Sequence, residues 1–123
     1  KLNVPVVFAK KSNSKNIGDV YKSKIHSYTR DQDFDIQIEK QFIYKDDIVL
    51  IIDDFLANGS ATLGMIDIIN QDGAKLAGVG IAIEKGFQNG GEILRDKGVR
   101  VESLAIISSM DEKTGKIIFK HLS

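Results

Sequence analysis

The chain has 123 residues, the size of a single domain, and its 42% hydrophobic and 28% charged residues make a globular rather than a disordered balance. Cysteine is absent and the two histidines, His26 and His121, stand far apart, which excludes disulfides, thiolate nucleophiles and cysteine- or multi-histidine-ligated metals and fits a reducing, cytoplasmic setting. Formal charge is zero (17 basic, 17 acidic), which argues against a dedicated nucleic-acid binder, and neither a membrane span of ~20 apolar residues nor an apolar signal segment is expected.

Lys1 is not a methionine, and Val4 to Ala9 (VPVVFA) already has the pattern of a buried strand, so the chain is expected to be part of a longer one. Lys10 to Gly18 reads as a polar loop. Val20 to Thr29 and Phe34 to Ile43 are rich in β-formers, and the polar link Arg30-Asp31-Gln32-Asp33 is expected to close them into a hairpin. Ile48 to Ile52 (IVLII) is a continuous aliphatic run, the mark of a central parallel strand covered on both faces. A helix is expected from about Ser60, with Ala61, Met65, Ile68 and Ile69 on one face and Gly73 as its stop. Leu76 to Ile83 reads as the next buried strand, Gly91 to Lys97 as a short helix closed by Gly98, Val99 to Ser108 as a strand and Lys116 to Lys120 as a last one. Alternating strands and helices predict right-handed βαβ units and an α/β fold around a mostly parallel sheet.

The neutral total conceals an asymmetry. Residues 1–45 carry nine basic against five acidic side chains, and residues 46–123 carry eight against twelve. A positive segment facing an acidic half suits a phosphate-bearing ligand, with or without a metal; the alternative is a solvated loop.

The sharpest pattern is Ile48 to Ala61, IVLIIDDFLANGSA: a buried strand, two acids, a loop of small residues and a helix start. In open α/β sheets ligands bind at the carboxyl ends of the strands, where this loop falls. The backbone N–H groups of Ala57, Asn58, Gly59, Ser60 and Ala61 can converge on an anion at the positive helix N-terminus. Ser60 can add a hydroxyl or cap the helix. Asp53 and Asp54 can accept hydrogen bonds from a sugar diol or hold Mg²⁺, directly or through water. The loop lacks the Gly-Lys-Ser/Thr of a Walker A motif and the G-x-G-x-x-G of a dinucleotide fingerprint. A receiver domain would place its acids after the first strand and a Lys-Pro late in the chain, whereas the only proline is Pro5.

The segment resembles the phosphoribosyl-pyrophosphate (PRPP) motif of type I phosphoribosyltransferases. DDFLANGSA, followed by IEKGFQNGGEILRDKGVRVESLA from Ile83 to Ala105, is most similar to the xanthine-specific bacterial subgroup, and the likeness runs from VPVVFAKK to about Ser109. It implies one phosphoribosyltransferase domain over residues 1–123 that lacks its N-terminal part, with a hairpin protruding from the sheet. It implies that Ala57 to Ala61 cradle the 5′-phosphate of PRPP and that Asp53 and Asp54 hold the ribose hydroxyls and help place Mg²⁺. Lys85 would meet the exocyclic oxygen of the purine, Phe87 would lie near the base, and the basic loop from Lys10 into the hairpin would match a mobile loop closing over the reacting centre. The family's upstream pyrophosphate loop has no counterpart here.

The implied activity is purine salvage: PRPP plus xanthine giving xanthosine 5′-monophosphate (XMP) and pyrophosphate, in a homodimer with no membrane or nucleic-acid partner. The alternative from another class is a PRPP-sensing transcription regulator of the same fold, which an upstream winged-helix segment would mark. By its own chemistry Lys85 is either a surface lysine or a donor suited to a 6-oxopurine, and Phe87 either packs in the core or stacks on a base. Asp31, Asp33 and Asp35 mimic the start of an EF-hand, but Ile36 replaces its glycine and Phe42 its final glutamate. The sequon Asn58-Gly59-Ser60 has no secretory context, and His26 and His121 show no evident partner.

Overall fold

The structure, a computed structural model, describes residues 3–12, 18–27 and 31–121. Seven strands and two α-helices follow in the order β1 (Lys10–Ser12), β2 (Val20–Ser27), β3 (Gln32–Glu39), β4 (Ile48–Leu56), α1 (Ser60–Gln71), β5 (Lys75–Lys85), α2 (Gly90–Asp96), β6 (Val101–Met110) and β7 (Ile117–Phe119). A short 3₁₀ turn, Lys40–Phe42, follows β3.

The main sheet has the order β4-β5-β6-β7, parallel except for β7, which returns antiparallel beside β6 after the turn at Gly115. This is the mostly parallel α/β arrangement expected from the alternation of strands and helices. Ile51, Val79 and Val101 form one cross-strand row of this sheet, and all three are buried. Both crossovers run in the same direction along the sheet, so their right-handedness brings α1 and α2 to the same face. The other face is bare: Ile48 is 75% exposed, Ile52 70% and Leu104 83%. Among the described residues the aliphatic run of β4 is covered on one face and lies at the sheet edge, where its composition suggested a doubly covered centre. An unbroken apolar run reports apolar surroundings without saying which element supplies each side.

The smaller sheet has the order β1-β3-β2, antiparallel throughout. The hairpin forms as expected, but Gln32 and Asp33 already belong to its ladder, opposite Ser27 and His26; Tyr28, Thr29 and Arg30 lie outside the described residues. Lys10 to Ser12, read as loop, is an edge strand on β3. Ladder bonds are made by the backbone, and lysines are common on exposed edges, so polar composition did not disclose the pairing. Residues 13–17 of that loop fall outside the described set.

Helix α1 lies between the two sheets. Its Ile68 and Ile69 are fully buried in a core shared with Ile25, Ile36 and Ile38 of the hairpin and Ile51, Val79 and Ile81 of the main sheet. Burial of this kind contributes roughly 1.5–3 kcal/mol per large aliphatic side chain. The hairpin is thus seated on the helix, with the Gln71 amide donating to the Lys22 carbonyl at 2.8 Å. Val4 to Ala9, expected as a buried strand, joins neither sheet, and Val6 and Phe8 are 77% and 80% exposed. β-Propensity describes fitness for a paired surface, and among the described residues no strand pairs with this segment.

Candidate active site

The carboxyl ends of β4 and β5 lie side by side and carry the residues singled out above. Strand β4 does not stop at the acids, as its pattern suggested, but continues through them to Leu56. The ladder with β5 keeps one register from Leu50 to Leu56, pairing Asp53 with Ile81 and Phe55 with Ile83, and its shift lies earlier, between Val49 and Leu50. Each carboxylate accepts from the next backbone N–H, Asp53 Oδ1 from Asp54 and Asp54 Oδ1 from Phe55, both at 2.8 Å. Asp53 is half-buried and Asp54 exposed. Burial, together with the neighbouring Asp54, raises the pKa of Asp53, while its own hydrogen bond with the Asp54 backbone and the charge of Lys11 work against the rise. Lys11 stands on β1, and its charge reaches Asp53 from the small sheet.

Beyond Leu56 the chain turns through Ala57, Asn58 and Gly59 into α1. Gly59, at the N-cap, has φ +85°, a left-handed conformation that an L side chain resists. The capping expected of Ser60 is made differently: Ser60 is the first helical residue, and its N–H donates to the Asn58 side chain at 3.0 Å. The first N–H of the helix to find a carbonyl inside it is that of Leu63, bonded to Gly59 at 2.9 Å. The amides of Ala61 and Thr62 precede that bond and point out of the helix start, as the geometry of any N-terminus requires. The loop offers an anion backbone donors and little side-chain bulk.

At the end of β5, Lys85 is half-buried, and its ammonium sits 5.8 Å from the centre of the Phe55 ring on the neighbouring strand. The chain then turns, with Gln88 N–H bonded to the Lys85 carbonyl at 3.0 Å and Gly86 N–H to the Ile107 carbonyl at 2.8 Å. Phe87, on this turn, is 48% exposed, so it is not core packing. Among the described residues no group of three or more His, Asp or Glu could hold a metal by itself.

Three features here were not foreseen. Phe55 carried no role in the sequence reading, yet it lies beneath Lys85; a large aromatic two residues after an acid at a strand end was the available sign. Glu84 is buried beside Lys85 and accepts two bonds from the Arg95 guanidinium (2.9 and 2.8 Å) and one from the Ser103 hydroxyl (2.7 Å). These donors, the Arg95 hydrogen bond foremost, hold the Glu84 carboxyl below the ordinary glutamate range despite its burial. Only the fold brings positions 84, 95 and 103 together. Likewise His26, read as having no evident partner, faces Asp33 across the hairpin ladder, with Nδ1 2.7 Å from its carboxylate.

This chain is similar over most of its length to proteins named xanthine phosphoribosyltransferase. One from Clostridium perfringens is 57% identical over 118 residues, covering 95% of this chain and 61% of the relative. Another, from Heliobacterium modesticaldum, is 54% identical over 118 residues, 96% of this chain and 62% of the relative. The chain is homologous to the xanthine phosphoribosyltransferases. It spans about three-fifths of the length of these curated relatives. Among solved structures, the adenine phosphoribosyltransferase of Giardia lamblia in complex with 9-deazaadenine superposes with TM-score 0.73 at 28% identity, covering 85% of this chain and 57% of that one. The enzyme of Leishmania tarentolae gives TM-score 0.70 at 25% identity, covering 83% and 50%. No family model matches the chain.

Proposed function

We propose that the protein carrying this domain transfers the 5-phosphoribosyl group of PRPP to xanthine, giving XMP and pyrophosphate, and that residues 1–123 supply one phosphoribosyltransferase domain. The observation that carries the reading is the 57% identity with a xanthine phosphoribosyltransferase over 95% of this chain, a span that includes both strand ends of the site. The geometry supports it independently. Amides at the start of α1 suit the 5′-phosphate, the acids one turn upstream suit the ribose hydroxyls, and Lys85 on the next strand suits the base.

Displacing pyrophosphate from the ribose builds positive charge on the sugar, so the chemistry needs alignment and a fitting electrostatic field more than covalent help. In this proposal Ala57 to Ala61 fix the 5′-phosphate, and Asp53 and Asp54 hold the diol and favour the developing cation. Lys85, which can only donate, selects a purine bearing an oxygen rather than an amino group at the exocyclic position, with Phe55 beneath its ammonium and Phe87 beside the base. Two adjacent carboxylates are oxygen donors of the right kind for Mg²⁺ but too few to cage it, which suits an ion brought in on PRPP and held partly by Asp53 and Asp54. So bound, the ion would neutralise the pyrophosphate leaving group. The proposal includes a homodimer in the cytoplasm; no helix among the described residues is long and apolar enough to cross a membrane.

The test is turnover by the full-length protein with PRPP and Mg²⁺, offered xanthine, guanine, hypoxanthine and adenine in separate reactions. Turnover preferring xanthine supports the reading. No turnover with any base overturns it, and PRPP-dependent DNA binding would then favour a sensor.

A further inference from the structure

The loop assigned to the phosphate and the turn assigned to the base come from different strands, yet they touch at one residue. Gly90 opens α2, and its N–H donates to the Ala57 carbonyl at 3.0 Å. The contact is backbone against backbone. A Cβ placed on Gly90 would overlap the Ala57 carbonyl oxygen and lie 2.7 Å from the Gly59 nitrogen and 2.9 Å from the Asn58 carbonyl carbon. Viewed from the other side, a Cβ on Gly59 would lie 3.2 Å from the Gly90 Cα. Gly91 is equally closed in, against the Glu84 carboxylate and the Arg95 guanidinium.

The turn from Lys85 to Gly90 is therefore clamped at both ends. At its start Glu84 is pinned inside the fold by Arg95 and Ser103. At its end Gly90 is seated on the phosphate loop. The Gly90 contact is backbone against backbone and has no flexible side chain to absorb a displacement, so movement of residues 57–59 is passed to the end of the turn at Gly90.

We propose that Gly90 is a positioning residue that couples the two halves of the site, so that filling the phosphate loop orders the Lys85–Gly90 turn before any base arrives. This rests on the assignment of Ala57 to Ala61 to the 5′-phosphate. By linkage the effect is reciprocal: a base held at the turn strengthens binding at the phosphate loop by the same factor.

Hydrogen–deuterium exchange of the full-length protein with ribose 5-phosphate, a probe that carries the phosphate and no base, separates the possibilities. Coupling between sites typically amounts to ~5–150-fold, so exchange should slow at least about fivefold in residues 57–62 and also in residues 85–90. Protection confined to 57–62 overturns the coupling and leaves the phosphate assignment standing. Protection of neither segment overturns both. As a second readout, Gly90→Ala should raise the KM for PRPP and for xanthine together by at least about fivefold. Gly98→Ala serves as its control: Gly98 has φ +82° but open space where a Cβ would fall, so this change strains the backbone without touching the link and should leave both KM values near wild type. A Gly90→Ala protein with both KM values unchanged would overturn the proposal without reference to the exchange data.

Discussion

Strands β4 and β5 are neighbours in one parallel sheet, and each carries acid near its carboxyl end, but the acids are treated in opposite ways. Glu84 is buried, accepts three hydrogen bonds from Arg95 and Ser103, and is held ionised below its ordinary range. Asp53 and Asp54 are left at the surface side of the strand end, each accepting from the next backbone amide, and the pKa of Asp53 is pushed up by burial and by its neighbour. A carboxylate whose partners are already in place contributes to the fold; carboxylates packed against each other near a helix N-terminus are, in the proposed function, the ones that meet the ligand. Position at a strand end does not separate the two cases. The surrounding donors do.

The largest effect is expected on the β4 side. Asp54→Asn in the full-length protein should lower kcat on the order of 10²–10³-fold, the scale of losing one well-placed electrostatic group, while the melting temperature stays near wild type. Unchanged turnover would remove Asp54 from the chemistry. On the β5 side the pattern should invert. Glu84→Gln leaves the partly exposed Arg95 guanidinium without its ionic partner, and denaturant titration should show a loss of roughly 1–3 kcal/mol, discounted for that exposure. If Glu84→Gln changed turnover at saturating substrate without changing stability, the contrast between the two strand ends would fail. Lys85→Met lies between them in position and below them in effect: it should raise the KM for xanthine about tenfold, the cost of one hydrogen bond from a charged donor, with little change in the KM for PRPP.

The smallest effect is in acid. Glu84 has a lower pKa in the folded than in the unfolded chain, so its contribution to stability is complete above its ordinary value near 4.5 and is lost as pH falls through the lower folded value. The Asp53 shift has the opposite sign and opposes folding once that group ionises. Melting curves of wild type and Glu84→Gln should therefore converge as pH drops below about 4.5. Parallel curves would show that the Arg95 contact adds nothing through charge.

Local pattern carried the βαβ core and the strand–loop–helix turn at residues 48–71 well, because both are local. An aliphatic strand, two acids, five small residues and a helix face follow one another between Ile48 and Ile69 without interruption. What it could not carry were features made by pairing across the chain. Lys10–Ser12 became a strand because β3 offered it an edge, and Val4–Ala9 did not because no strand pairs with it among the described residues. The bare face of β4 was hidden for the same reason, since Ile48, Leu50 and Ile52 look alike whether covered or not. Glu84, Arg95 and Ser103 are 11 and 19 positions apart along the chain and meet only in the fold. Phe55 stood inside the motif in plain view, and only the neighbouring strand shows that it supports Lys85.

The most direct test of the account places xanthine and adenine in one reaction, at equal concentration, with the full-length protein, PRPP and Mg²⁺. The ratio of XMP to AMP formed then reads the ratio of the two kcat/KM values without separate calibration. A site whose base is met by the Lys85 ammonium should give XMP in excess by ~100-fold or more, because the amino group of adenine leaves that donor unpaired. AMP in excess would contradict the base assignment, and the absence of either nucleotide would contradict the transfer reaction itself.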